Sequence, residues 1–392
     1  MPADTSVNYF HSAMPGAPTL SGQAGTLIAV LDACLVNGFG SGTLDTLAVA
    51  SNVATATRAA GHPFEIGTVV EIAGATPSGL NGKHKVTAVT TTTYQFETSG
   101  VSDGAATGTI THKIAALGWT KQFSGTNLAA YKSSDVEATG CLLRMDDTGT
   151  EFARCVGYET MVDINTGTGP FPTSAQQSGG YYWLKSETAN ATTRPWFIVG
   201  DGRLFYMWVH YGDNPDPRAD TVITQFGDFN SLVAADAYGC SLNAQASDAS
   251  NLVTPSDSFT YASGSTGSNN GSVALARRYT GLGSAFLGTR LLTPAQAGLS
   301  ALGGHSGNAG TSLGYPNAAD NALYVGPYYV GDGGCVRGIW PGAYFVPHAI
   351  SSSQFTQRER IESVGGLSGK TLLAISCNGG PMMFDITGPW RV

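Results

Sequence analysis

The sequence predicts a mainly β protein: an antiparallel β-sandwich or jelly-roll-like body with a short N-terminal helix and an inserted small β domain. Three observations point there. Alternation of apolar and polar residues with period two recurs along the chain, as half-buried strands require. Glycine makes up 52 of 392 residues, about twice the average share, and supplies the tight turns that short strands need. Charge is scarce: 12% of residues are charged and 42% are hydrophobic. Gly, Ser, Thr, Ala and Asn therefore make much of the surface, and little repulsion opposes packing against other subunits.

The helix comes first. Between Gly22 and Val36, the residues Leu27, Ile28, Val30, Leu31, Cys34 and Leu35 follow i, i+3, i+4, i+7 spacing, which makes one apolar stripe. Ser21 is placed to cap the start and Asn37-Gly38 to stop the end in a left-handed conformation. Gly38 to Gly42 reads as a flexible junction, so the first segment is residues 1–40. In residues 41–113, strands are predicted at Thr68–Ile72, Lys85–Val89, Tyr94–Glu97 and Gly108–Thr111. Pro77 and Asn81-Gly82 build the turn between the first two.

The body, residues 114–392, shows strand patterns at Cys141–Met145, Phe152–Val156, Tyr181–Leu184, Trp196–Val199 and Arg203–Val209, spaced as in antiparallel sheets. Asp146–Gly149 and Gly200–Gly202 read as hairpin turns; the second also has the look of an acidic cation loop, but hairpins demand Asp-Gly at such places. Asp248–Gly271 reads as a long polar loop, Ser353–Glu362 as one short helix, and Thr371–Ser376 as a strand. Strand and aromatic residues from Met382 to Arg391 suggest a docked end.

The run HPFEIGTVVEIAGATPSGLNG from His62, with KVTAV from Lys85 and TTYQFET from Thr92, resembles a small β module recurrent in tail and fibre proteins of tailed bacteriophages. The flanks, YFHSAMPGAPTLSGQAGTLIAVLDACLVNGFG from Tyr9 and LGWTKQFSGTNLAAYKS from Leu117, are similar to phage and prophage structural proteins. The resemblance implies a virion component made in the host cytoplasm, with the module inserted at a glycine junction where insertions are tolerated. Its partners would be other virion proteins and copies of itself, first at the tail or baseplate, with capsid decoration as the alternative. The module would project outward.

A reading from another class is a host-surface or glycan-binding adhesin, with Trp183, Trp196 and Trp208, beside Tyr181 and Tyr182, as stacking groups. Strand aromatics usually face inward, which favours core for most of them. Tyr328 and Tyr329, in the Gly-, Asn- and Tyr-containing stretch Leu299–Gly334, suit an interface; ordinary loop packing explains them equally well.

Residue chemistry argues against catalysis. Net charge is −8 with no Lys/Arg block, so no nucleic-acid backbone is an expected partner. No apolar run has the length of a membrane span, and Met1-Pro2-Ala3-Asp4 does not open a secretory signal. The six cysteines include no C-x-x-C pair and are expected as free buried thiols. The glycosylation triplets at Asn190 and Asn270 then carry no weight. Seven histidines are spread singly, so no metal or cofactor is expected. Gly365–Thr371 ends in Gly-Lys-Thr, but Val364 stands where a phosphate loop needs glycine. Gly304-His305-Ser306-Gly307 lacks the closing glycine of a nucleophile elbow, Asn308 taking its place. Asp201, Asp213, Asp216, Asp220 and Asp228 leave glycan hydrolysis as the enzyme alternative, although Pro215 and Pro217 make a surface turn of that region. The expectation is a structural protein and not an enzyme.

Overall fold

A computed structural model describes residues 3–216, 220–243, 273–291, 314–348, 350, 354–377 and 380–391. The protein is mainly β. The described strands gather into antiparallel sheets of 13, six and eight strands, with one short parallel pair beside them. The expected polar loop at Asp248–Gly271, the Gly304–Gly307 motif and the Asn270 triplet lie outside the described residues.

The N-terminal helix forms where the apolar stripe places it, at Thr26–Leu31, and widens into a π turn over Asp32–Asn37 before Gly38 stops it at φ 72°. A helix this short has little stability of its own, and both its ends are held by distant chain. Ser21 does not cap it. Asp147 does, its Oδ2 accepting from Leu27 N at 2.8 Å and Ile28 N at 3.2 Å. At the other end, Leu117 N and Gly118 N donate to the carbonyls of Cys34 and Leu35 at 3.0 and 3.1 Å. Asp147 is fully buried, as is its partner Lys185, which also donates to Gln23 O at 2.7 Å. The Asp146–Gly149 hairpin is there, but one of its turn residues is a core ion.

The eight-stranded sheet runs from Phe39–Thr43 to Thr111–Ile114. Phe39 and Ile114 are register partners, so the chain leaves and re-enters the body at one place. The glycine-rich stretch read as a flexible junction is therefore a paired strand, its backbone groups satisfied by the returning chain. The last strand starts at Thr111, three residues beyond the expected start. Thr46–Ala50 and Val53–Thr57 add a hairpin in which Leu47, Val49, Ala54 and Ala56 are buried. Asn81 closes the predicted turn, its carboxamide bonded to both N and O of Ala75 at 2.8 Å.

This sheet does not project freely; its buried side chains join the hydrophobic core of the body. It covers the edge strand Asn8–His11 of the long sheet, as exposed edges require. The Asn8 carboxamide donates to Ala115 O at 2.7 Å and accepts from Val69 N at 2.9 Å. Lys85 Nζ reaches Val7 O at 2.7 Å, and burial pushes its pKa down to about 8. His11 Nε2 meets Glu65 Oε1 at 2.9 Å.

Inside the sheet, His112 is 2% exposed and its Nδ1 meets the Tyr94 hydroxyl at 2.9 Å. Burial, reinforced by Arg58 and His62, pushes its pKa down to about 4. A pKa lower in the folded than in the unfolded chain gives stability that is complete above the unfolded value near 6.5 and is lost as pH falls toward 4. Unfolding free energy is expected to fall across that window, by at most about 1.4 kcal/mol per pH unit for this one group, and thermal midpoints with it. His112→Gln should flatten the slope; an unchanged slope would remove His112 as its cause.

The central strands Trp196–Gly200, Leu204–His210 and Thr221–Asp228 are buried along their whole lengths. Neighbouring residues point to opposite faces, and both faces are covered. Phe205 meets Trp119 and Trp183 of the six-stranded sheet, at ring centroid distances of 5.5 and 6.1 Å. Tyr206 meets Phe384 and Trp390 at 5.2 and 6.0 Å on the other side, because the long sheet folds back over itself. The body is thus a sandwich with a doubly covered middle layer.

Gln354–Glu362 is not helical. It turns and forms strand Glu359–Ile361, paired with Leu372–Ala374. Its weak apolar stripe cannot outweigh backbone pairing with a waiting sheet edge. The Gly365–Thr371 segment is accordingly a turn between strands, with no helix on either side. Of the cysteines, five are buried, but Cys335 is exposed at the start of its strand. No helix among the described residues is long and apolar enough to cross a membrane.

Candidate functional site

Among the described residues, a recess of about 630 Å³ has Glu137, Thr139, Arg203, Asp228, Asp236 and Arg391 among its walls. Strand ends build it. Asp228 closes the strand Thr221–Asp228, Arg203 precedes Leu204–His210, and the Glu137–Thr139 loop joins Leu128–Ser133 to Leu142–Asp146.

Apart from Glu137, its charges are paired. Asp228 accepts from Thr139 N at 2.8 Å and Thr139 Oγ1 at 2.6 Å, with Arg203 Nε 3.7 Å away. Burial pushes the Asp228 pKa up, against the pull of Thr139, Arg391 and Arg203. Arg391 binds Asp201 Oδ2 at 2.8 Å, Asn230 Oδ1 at 3.1 Å and Asp228 O at 2.7 Å, which ties the C-terminal residues into the wall. Gly200–Gly202 is the expected hairpin turn, Asp201 Oδ1 accepting from Arg203 N and Leu204 N at 2.8 and 2.7 Å. Asp236 takes both prongs of Arg337, at 3.1 and 3.0 Å.

The rim is apolar. Val136, beside Glu137, is 97% exposed; Leu232, beside Ser231, 68%; Leu282, 74%. Leu282 follows Gly281, which stands over the Tyr238 ring, and Tyr238 itself lies between wall residues. Three large apolar side chains in water, on segments adjoining walls whose arginines and aspartates are paired, can seat on another protein surface and leave few charges to desolvate when they do.

The aromatics singled out in the sequence are elsewhere. Trp183, Trp196, Trp208 and Tyr328 are 0–4% exposed, so their faces meet core side chains and have none left for a sugar. Trp183 Nε1 donates to Asn243 O at 2.9 Å and Trp196 Nε1 to Pro18 O at 3.0 Å. Tyr328 belongs to strand Gly326–Asp332, in the core beside Phe345; Tyr329 is half-buried on the same strand. Of the five aspartates, only Asp228 lines the recess, while Asp213 pairs with Arg194 at 2.5 Å. Among the described residues no cluster of three or more His, Cys, Asp or Glu is placed to hold a metal. Arg337, Asp236 and Arg391 went unmarked in the sequence, although a lone arginine inside the apolar strand Cys335–Phe345 signals a buried partner.

No family model and no curated protein matches the chain.

Proposed function

We propose that this chain is a structural component of a tailed-phage virion, acting at the tail or baseplate through subunit interfaces repeated around a symmetry axis. The observation that carries the reading is the exposure of Val136, Leu232 and Leu282 on segments that adjoin a recess whose arginines are already paired. Such apolar contacts, repeated in each copy of a ring, add small gains many times over. The resemblance of residues 61–98 and their flanks to phage tail and structural proteins supplies the virion setting.

The test is assembly. Sedimentation and electron microscopy of the purified chain should show a closed ring or other symmetric set, and Leu232→Asp with Val136→Asp should reduce it to monomers without changing the thermal midpoint. Monomers at every concentration, alone and with the other particle proteins, would remove the assembly role. Density in the intact particle then separates tail from head, where a position on the capsid shell would favour decoration.

A further inference from the structure

A second recess, about 400 Å³, opens where the N-terminal segment meets the eight-stranded sheet, with Pro15, Gly16, Gly40, Arg58, His62 and Thr91 among its walls. Arg58 is the one charged group that lines it. The guanidinium spends Nη1 on Gly61 O at 2.5 Å. The nearby carboxylate of Asp45 is occupied by Ala59 N–H at 2.6 Å and makes no ion pair with Arg58. A Cβ on Gly42 would stand 2.6 Å from Arg58 Nε and 2.9 Å from His112 Nε2, so glycine there lets two ring and guanidinium nitrogens converge. His112 Nε2 is buried without a hydrogen-bond partner. The recess owes its depth to backbone: Cβ atoms on Gly16 and Gly40 would press on Gly40 Cα at 3.0 Å and Pro63 Cγ at 2.6 Å.

A hollow with one guanidinium held in no ion pair and no lining carboxylate selects an anion. A planar fork carrying a single charge matches a carboxylate better than a phosphate dianion, which would keep one charge uncompensated. The other walls include exposed Ser41 and Thr91, which carry hydroxyls, and the ring-bearing His62 and Pro63. Hydroxyl edges with a small apolar face are what a sugar ring presents in return. We propose that this recess binds the carboxylate of an acidic sugar, with Arg58 gripping the carboxylate and Ser41 and Thr91 meeting the sugar hydroxyls. The contact is separate from the buried tryptophans and from the walls of the other recess.

Glucuronate and N-acetylneuraminate are titrated into the full chain by calorimetry and by NMR of the histidine rings, with methyl glucoside, acetate and inorganic phosphate as comparisons. Saturable shifts of His62 and His112 are expected with an acidic sugar and not with the glucoside. Arg58→Gln should weaken binding at least about tenfold, and Thr91→Trp, at an exposed position, should block the mouth while leaving the fold intact. The proposal is overturned if neither acidic sugar binds, if acetate or phosphate binds as tightly, or if both variants bind as the parent does. The titration needs no assembled particle, so a monomer that binds acidic sugar overturns the assembly reading alone.

Discussion

Lys185→Met is expected to cost about 3–5 kcal/mol, because it strands a carboxylate in the core. Lys185 and Asp147 are both fully buried, and burial already raises the Asp147 pKa and lowers that of Lys185. Each ion is tolerated through the other, through Asp147's two hydrogen bonds to the helix start and through the bond from Lys185 to Gln23 O. Without the ammonium, Asp147 must take up a proton or draw in water, and the helix loses its anchor. Amide exchange at Leu27 and Ile28 should therefore quicken along with the fall in thermal midpoint. The double variant Asp147→Met, Lys185→Met should recover part of the loss, since no charge is left unpaired, but not all of it, since the two helix amides lose their acceptor. A single variant as stable as the parent would show that the pair contributes nothing.

Arg337→Leu should be comparably damaging, again by about 3–5 kcal/mol. The guanidinium is buried and works with every prong: Nε and Nη2 to Asp236, Nη2 also to Tyr238 O at 3.0 Å, and Nη1 to Arg277 O. Asp332 lies 3.6 Å from the same group. Leucine would leave Asp236 with only Ser231 Oγ at 2.7 Å and Tyr238 N at 3.1 Å, neither of them a cation, so the Ala235–Gly239 wall of the larger recess should loosen. Limited proteolysis there, with urea unfolding, measures both effects. Arg337→Lys should rescue little, because a single ammonium cannot reach two carboxylates and two carbonyls at once. Full rescue by lysine would mean that charge alone matters and the fork geometry does not.

These two residues mark the boundary of what residue order could tell. The β class, the antiparallel pairing, the helix at Leu27–Leu35 and the turns at Asn81-Gly82 and Gly200–Gly202 were legible, since each follows from local periodicity or from turn chemistry within a few residues. Strands Thr46–Ala50 and Val53–Thr57 were not, because alternating alanine, valine and threonine give too little contrast to separate a buried face from an exposed one. The strand at Glu359–Ile361 failed for a different reason: its partner is a sheet edge that only folding creates.

The candidate sites were hidden more deeply. The strand aromatics were visible but ambiguous, because the same rings serve a core or a ligand and only burial distinguishes them; the core reading favoured for most of them holds. Arg58, Arg337 and Arg391 were ordinary letters until folding set Arg58 beside His112, Arg337 beside Asp236 and Arg391 beside Asp201. Local sequence determined the strands, the turns and the scarcity of charge. The tertiary structure alone decided which charges are paired and which is left open, since that depends on distances between residues tens to hundreds of positions apart.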